Sequence, residues 1–172
     1  MEALHVLKKR RSMRSYRSEQ IRSDQLDAIL EAGTYAPSGM NRQSPTMVVV
    51  QDPQLIKRLS RMNAAVMGMD GDPFYGAPTV VIVFGNPGAA MTWLEDGALV
   101  MGTLMNAAFA VGVDSCWIHR ARQMFETDEG KALMNAWGVP DGCVGIGNCI
   151  LGYAAKPLPA PKPRKTDYII RV

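Results

Sequence analysis

Three arginines near the N-terminus have the chemistry to bind an anion. Arg10, Arg11 and Arg14 stand with Ser12 in a segment that ends at Tyr16 and follows a stretch with helical apolar spacing. A guanidinium group offers a planar fork of donors that matches a phosphate or carboxylate, and serine hydroxyls supplement it. The segment therefore predicts a site for a phosphomonoester. The alternative is a solvated basic helix end, because cations are favoured at helix C-termini in general.

A second candidate site is the polar segment that runs from Ala36 to Pro45. Its turn-forming and hydrogen-bonding residues are Pro37, Ser38, Gly39, Asn41 and Gln43. Glycine permits a positive φ, so backbone amides near Gly39 can turn toward a ligand. Amide side chains donate and accept hydrogen bonds, as the edge of a heterocycle requires. We expect a ligand-binding loop between a helix and the strand that begins at Thr46.

The composition predicts a single globular domain over residues 1–172. The chain is 47% apolar with a net charge of +3, yet its basic residues concentrate between Lys8 and Arg22. Such a cluster suits a nucleic acid, an anionic membrane or a small phosphorylated ligand. No alternating pattern of aromatic residues accompanies it and no nucleic-acid motif is present, which argues against a nucleic-acid partner. No apolar run is long enough to suggest a membrane helix.

The cysteines and histidines predict neither a disulfide framework nor a metal site. Three cysteines form no CxxC pair, and this odd count favours a reducing, cytoplasmic setting. Cys116 and His119 have the spacing of two metal ligands, but no second pair accompanies them. We therefore expect no metal.

Apolar periodicity and turn residues define the expected elements. Helices are predicted over residues 3–11, 24–36, 92–111 and 123–137, with a short helix after Asp52, and strands over 46–50, 78–85, 114–120 and within 143–153. Leu4, Leu7 and Val6 are expected to face inward. The helix over 92–111 is apolar nearly all round, which predicts a dimer interface. Residues 63–75, rich in methionine and glycine, are expected to form an irregular lid or cavity wall.

The C-terminal segment alternates proline with other residues from Lys156 to Arg164 and should be extended. Tyr168–Ile170 is a possible final strand. An extended arm over 156–172 is suited to embrace a partner subunit and to cover an exposed edge of that subunit's sheet.

Three segments together resemble the flavin-binding signature of the nitroreductase family. They are Arg10–Tyr16, Ala36–Pro45 and Lys162–Arg164, and the apolar helix with Glu95 and Asp96 near its start resembles the family's dimer helix. The resemblance implies an α+β fold with a central, mostly antiparallel sheet flanked by helices. It also implies a homodimer that binds FMN at two interface sites, with the C-terminal strand swapped onto the partner.

The resemblance assigns roles by position. Arg10, Ser12, Lys162 and Arg164 would hold the FMN phosphate, with Arg11 helping. Arg14 would reach the N1 and C2 side of the flavin ring and stabilise the reduced flavin. Pro37, Ser38, Gly39, Asn41 and Gln43 would come from the other subunit and contact the ring and the ribityl chain. Trp117 and Ile118 would lie against one face, the amides of His119 and Arg120 would point at N5 and O4, and Asn63 is a further candidate at the pyrimidine end.

Two of these positions have alternative interpretations. Many family members carry an acidic residue and a glycine where His119 and Arg120 stand, so these two side chains would alter which substrates approach. His119 is otherwise a solvent-facing residue at a strand end. Trp117 either stacks on the cofactor or packs in the core.

The residue types suit a flavin independently of the family. FMN needs anion donors, amide donors along the ring edge, an apolar floor and a cation near N1, and all are available here. We expect a ping-pong oxidoreductase that transfers hydride from NADH or NADPH through FMN to a small electron-poor acceptor such as a nitroaromatic or a quinone. The flavin carries the chemistry, so no catalytic side chain is predicted. The alternatives are a protein that binds or sequesters a flavin or another planar cofactor without turnover, and a basic RNA-associated domain.

Overall fold

A four-stranded antiparallel sheet forms the centre of the fold. The structure, a computed structural model, describes residues 2–172. The strands are β1 (Thr46–Val50), β2 (Thr79–Gly85), β3 (Asp114–Ile118) and β4 (Val144–Gly152). Their order in the sheet is β1-β2-β4-β3, and each neighbouring pair is antiparallel. The α+β class and the mostly antiparallel sheet are therefore confirmed.

Helices cover both faces of this sheet. They are α1 (Ala3–Lys9), α2 (Ser23–Thr34), α3 (Pro53–Met67), α4 (Trp93–Ala110), α5 (Ala121–Glu126) and α6 (Asp128–Ala136), with a short 3-10 turn at Gly39–Asn41. Strand β2 is buried along its whole length, as its apolar β-branched composition predicts. Its side chains alternate between two cores: Val80, Ile82 and Phe84 face one, and Val81 and Val83 face the other.

The two cores have different partners. The first contains Leu59 of α3 and Met124 of α5, and the second contains Ile29 of α2 and Leu104 of α4. Helix α4 begins and ends within one residue of the prediction. Its apolar faces pack against α2 and the sheet, and they place the start of the helix beside the polar segment 36–45.

Two expected elements differ from the structure. Helix α3 continues to Met67 instead of ending early, and Gly68 with φ 65° ends it. The single helix expected over 123–137 is two helices that meet at Thr127, whose hydroxyl accepts a hydrogen bond from the Gly130 amide at 3.0 Å. A Cβ at Gly130 would lie 2.2 Å from the Met124 carbonyl oxygen, so only glycine permits this close approach.

Leu4 and Leu7 were expected to be buried, but they are 58% and 60% exposed. Val6 is the buried residue of α1. The helix is too short to bury two faces against one chain, and its leucines point away from the core. An apolar stripe is therefore left on the surface.

The two edges of the sheet are treated differently. Strand β3 is flanked by the chain's own N-terminal segment, because Ser12 forms a parallel bridge with Ser115 and the Met13 amide donates to the Ser115 carbonyl at 3.0 Å. No strand within residues 2–172 covers the outer edge of β1. Residues 155–172 are exposed and form no strand in this chain.

Candidate functional site

The N-terminal segment fixes Arg14 beside the end of β3. Met13 is buried and bonded to β3, while Arg14 is exposed and alternates to the opposite side. The hydroxyl of Tyr16 donates to the Met13 carbonyl at 2.9 Å, and burial raises the pKa of this phenol. The segment from Met13 to Tyr16 is therefore held at both ends. The Arg14 guanidinium is directed into a cavity that it shares with β3.

Arg10 and Arg11 hold buried donors that no group in residues 2–172 accepts. The Nη1 atom of Arg11 donates to the carbonyl oxygens of Lys8 at 2.8 Å and Arg10 at 2.6 Å, and these bonds cap the C-terminus of α1. Its Nε atom and the Nη1 atom of Arg10 are buried without a partner. The hydroxyl of Ser115, in the residue that pairs with Ser12, is also buried and unpartnered. Such orphaned donors are costly unless an acceptor is supplied.

The Arg10 guanidinium reaches the interior, because its Nη1 atom is buried. Burial, helped by the nearby Cys116 thiol, raises the pKa of Cys149 to about 12, and the positive charge of Arg10 opposes this rise. Arg10 is therefore close enough to the central strand β4 to act on it electrostatically. All three cysteine thiols are free and buried.

A cavity of about 360 Å³ opens where β3 ends. One side is formed by Arg14 and by the strand-end residues Trp117, Ile118, His119 and Arg120. The other side comes from the end of α3 and the loop after it, where Met67, Met69 and Tyr75 provide apolar surface. The irregular stretch expected over residues 63–75 therefore begins at Gly68, and it forms a wall of the cavity. The first residues of that stretch belong to α3 instead.

Asp72 holds the loop after α3 in place. Its carboxylate accepts hydrogen bonds from the Ser60 hydroxyl, from the Phe74 amide at 2.9 Å and from the Gly76 amide at 2.6 Å. These bonds engage both carboxylate oxygens of Asp72. Asp70 also lines the cavity and is exposed.

Two fully buried amide side chains support the turn that follows β3. Asn63 donates to the His119 carbonyl at 2.8 Å and accepts from Arg120 Nε at 3.3 Å. Asn148 donates to the Ile118 carbonyl at 3.3 Å. Arg120 has φ 76°, which is unusual for a residue with a side chain and places it at the start of α5. The backbone geometry at the cavity wall is therefore fixed from behind.

Trp117 packs on β4 and also lines the cavity. Its ring packs so closely on β4 that a Cβ at Gly147 would lie 2.6 Å from Trp117 Nε1. The residue is half-buried and also lines the cavity. His119 is exposed at the cavity rim.

The polar segment folds into a tight turn that stands apart from this cavity. The Gln43 amide donates to the Ser38 hydroxyl at 3.0 Å, and Gln43 Nε2 donates to Asn41 Oδ1 at 3.1 Å. Pro37, Ser38 and Gln43 line a separate cavity of about 150 Å³, which has no lining residue in common with the one at β3. Within one chain, the turn and Arg14 therefore belong to different surfaces.

This arrangement of elements matches a known family. The model of the nitroreductase family matches residues 7–153. The chain belongs to the nitroreductase family. The match begins in α1 and ends just after β4, so it includes the N-terminal arginine segment, the polar turn and the whole sheet, but not Lys162 and Arg164.

Solved nitroreductases share the fold over the full chain. A nitroreductase from Bacteroides fragilis with bound FMN is 33% identical, with a TM-score of 0.91 and coverage of 100% of this chain and 99% of its own. A nitroreductase from Desulfitobacterium hafniense with bound FMN is 27% identical, with a TM-score of 0.89 and the same coverage. A protein of Archaeoglobus fulgidus, whose name proposes an NADH dehydrogenase/NAD(P)H nitroreductase, is 28% identical over 97% of this chain and 90% of its own.

The structure groups the residues expected from the nitroreductase resemblance into several places. Five of them line the cavity of about 360 Å³ at the end of β3: Arg14, Trp117, Ile118, His119 and Arg120. Asn63 lies behind that cavity with its amide engaged by the chain itself. Lys162 and Arg164 lie in the exposed tail, where Arg164 donates to the Lys162 carbonyl at 3.1 Å.

Sequence reasoning assigned no role to Asp96, Asn148 or Ser115. Asn148 and Asp96 carried a signal, because each is a polar residue in an otherwise apolar strand or helix. Such residues are kept in a core when they satisfy or orient other polar groups. Ser115 carried no comparable signal.

Proposed function

We propose that this chain is an FMN-dependent NAD(P)H oxidoreductase that passes hydride to a small electron-poor acceptor such as a nitroaromatic or a quinone. The observation that carries the proposal is the pair of buried, unpartnered guanidinium nitrogens on Arg10 and Arg11. They lie at the junction with β3, next to the strand whose end forms the cavity. Two solved relatives of the same fold contain FMN.

The residues present fit an FMN phosphate. A phosphate oxygen would supply the acceptor that Arg10 Nη1 and Arg11 Nε lack, and Ser12 would add a hydroxyl. Lys162 and Arg164 are exposed and free to contribute further positive charge. The negative charge of the phosphate would also offset the mutual repulsion of these basic residues.

The cavity at β3 fits a flavin ring. FMN, when bound, supplies the hydride transfer between the nicotinamide and the acceptor. Trp117 and Ile118 would form the floor, and the amides of His119 and Arg120 would donate to the ring edge. Arg14 forms no hydrogen bond within residues 2–172, so its charge is available to the pyrimidine side of the ring, where negative charge develops.

The acceptor would enter through the same open cavity that admits the nicotinamide. Met67, Met69 and Tyr75 offer apolar and aromatic contact to a flat molecule. His119 and Arg120 stand at its rim with polar and cationic groups. A single shared opening favours a ping-pong order, in which the oxidised nicotinamide leaves before the acceptor binds.

A homodimer is part of the proposal. Helices α1 and α4 pack together and expose Leu4, Leu7 and Leu99. Gly102 follows Leu99 by three residues on α4. We name this surface the α1–α4 face. No atom lies within 4 Å of a Cβ built on Gly102, so the centre of this face is open in the single chain. Burial of several leucines against a second copy would be strongly favourable, at about 25 cal/mol for each Å² of apolar surface.

A dimer would also bring together the two surfaces that are separate in one chain. The polar turn follows α2, which packs on α4, and α4 forms the α1–α4 face. The turn would then contact the flavin held mainly by the other subunit. The proposal thus accounts for the lack of shared lining residues between the two cavities.

We further propose that residues 156–172 form an arm that packs on the partner of this single-domain chain. Tyr168, Ile169 and Ile170 are exposed apolar residues, and the outer edge of β1 has no strand beside it within residues 2–172. An uncovered edge is normally protected in native proteins. A partner's arm would protect it, while β3 is already flanked by the chain's own N-terminal segment. The free thiols suit a cytoplasmic setting, and within residues 2–172 no helix has both the length and the apolarity to span a bilayer.

Initial-rate kinetics test the proposed reaction. The FMN-loaded protein is assayed with NADH or NADPH against a benzoquinone at several fixed concentrations of each. Ping-pong turnover predicts parallel lines in double-reciprocal plots. A protein that only sequesters flavin would bind FMN and show no turnover with either nicotinamide, and intersecting lines would contradict the single shared opening.

A further inference from the structure

Asp96 is a buried carboxylate with an unusual pair of partners. It lies in the first turn of α4 and is 2% exposed. Its Oδ1 atom accepts a hydrogen bond from the Gly39 amide at 2.9 Å, and its Oδ2 atom accepts one from the Ser44 hydroxyl at 3.4 Å. It forms no salt bridge with any cation in residues 2–172. A buried charge that lacks a counter-ion is costly, so its hydrogen bonds are the compensation that the chain provides.

The backbone between these two partners is strained. Met40, Asn41 and Gln43 have φ values of 53°, 54° and 49°. Residues with a side chain rarely adopt this left-handed conformation, and three of them fall here within one short turn. The conformation persists only where surrounding contacts determine it.

The contacts that determine it come from α4. Gly39 precedes the strained residues and Ser44 follows them, so Asp96 bonds the turn at both ends. Gly39 also lies directly against α4, because a Cβ there would be 2.1 Å from Thr92 Oγ1. The turn is therefore fastened to one helix at its start and at its end. The exposed groups of Asn41 and Gln43 are held between these anchors.

We propose that Asp96 is a positioning residue that clamps the turn Ser38–Gln43 in the conformation that receives the flavin. The inference rests on the proposed function, because the turn is the segment expected to contact FMN in the partner's site. A turn that is already ordered before binding loses less conformational entropy when the ligand arrives. Because α4 also forms the α1–α4 face, the same helix would connect subunit contact with cofactor binding.

Three variants test the clamp in the full-length dimer. Asp96→Ala removes both bonds. Asp96→Asn keeps an oxygen for the Gly39 amide and an NH2 group that can donate to Ser44. Glu95→Gln is the matched control, because Glu95 is an exposed carboxylate on the same helical turn.

Two readouts separate the clamp from the flavin. The first is amide hydrogen exchange at Gly39 without FMN, and the second is the FMN dissociation constant from quenching of flavin fluorescence. Asp96→Ala should raise the exchange rate at Gly39 and weaken FMN binding about tenfold or more. Asp96→Asn should restore most of the affinity, and Glu95→Gln should match the wild type in both readouts.

These results can contradict the proposed role of Asp96 without contradicting the proposed function of the protein. Unchanged exchange at Gly39 in Asp96→Ala, or wild-type FMN affinity in that variant, would each overturn it. If the wild type did not bind FMN, the proposed function would fail, while faster exchange at Gly39 in Asp96→Ala would still support the clamp. If Asp96→Ala did not fold, Ser44→Ala would replace it. That variant should show a smaller change in the same direction, and wild-type values in both readouts would overturn the clamp.

Discussion

The side-chain amide of Asn63 donates a hydrogen bond of 2.8 Å to the carbonyl oxygen of His119. Asn63 belongs to α3, whereas His119 directly follows β3. Asn63 also accepts from Arg120 Nε at 3.3 Å. One buried side chain therefore fixes both residues of the turn that closes β3. This turn forms the edge of the cavity in which we place the flavin.

Replacement of Asn63 by leucine should loosen that turn. The variant keeps a similar volume but leaves the His119 carbonyl without its donor, so the free energy of unfolding should fall by about 1–3 kcal/mol. FMN binding should weaken as well, because the His119 and Arg120 amides lose their fixed direction. Urea denaturation and FMN titration measure the two effects. Gln54→Leu on the exposed side of the same helix is the control, and identical behaviour of the two variants would exclude a positioning role for Asn63.

Replacement of Arg14 by glutamine should slow the reduction of bound FMN by NAD(P)H. The variant removes a positive charge from the cavity while keeping a polar, although shorter, side chain. We expect the rate of bleaching in stopped-flow experiments to fall about tenfold, which corresponds to about 1.4 kcal/mol of transition-state stabilisation. Arg22→Gln is the control, because Arg22 pairs with Asp24 on the surface. Equal rates in both variants would show that Arg14 does not assist the reduction of the flavin.

Replacement of Gly102 by glutamate should separate the subunits without unfolding the chain. Nothing in the single chain lies within 4 Å of a Cβ at this position, and glutamate favours a helix over glycine by about 1 kcal/mol or slightly less. A buried carboxylate at the centre of the α1–α4 face would oppose association. Analytical ultracentrifugation should show monomers that retain the helical circular dichroism of the wild type and bind FMN poorly. A dimer of unchanged affinity would place the interface elsewhere.

Replacement of Asp114 by asparagine should change the pH dependence of stability. Burial raises the pKa of this carboxyl above its ordinary value of 3.8, although a hydrogen bond from the Ala154 amide opposes the shift. Between the ordinary and the raised pKa the folded state binds more protons than the unfolded state, so wild-type stability falls as pH rises through that window. The variant should therefore have the higher melting temperature at neutral pH, and this advantage should vanish below the ordinary pKa. A constant difference across the whole range would show that the charge of Asp114 does not matter.

Local patterns were sufficient to predict much of the fold. The β-branched run of β2 and the apolar helix α4 were located within one residue, since each has a strong periodicity of its own. Asp52 was placed correctly before a proline at the start of α3, and its carboxylate caps the Leu55 amide at 2.7 Å. The end of α3 was missed because residues 63–75 were treated as one irregular stretch, although its first residues include the helix formers Ala64, Ala65 and Met67 and its glycines begin only at Gly68.

The site was only partly predictable, because its supporting residues act over long separations in the chain. The arginine segment and the strand end could be assigned from residue types and from the family resemblance. The bonds from Asp96 to Gly39 and from Asn148 to Ile118 join residues that no sequence spacing relates. The outward direction of Leu4 and Leu7 was missed for a related reason, since periodicity predicts an apolar face but not which surface it contacts.

The visible spectrum of the purified protein during an anaerobic titration with NADH or NADPH tests the central claim most directly. We predict that the protein binds FMN and that its flavin absorption bleaches with about one equivalent of nicotinamide per bound flavin, as expected for two-electron hydride transfer. Addition of a quinone should restore the absorption. A protein that stays colourless when mixed with FMN, or whose bound flavin does not bleach with either nicotinamide, would contradict the account.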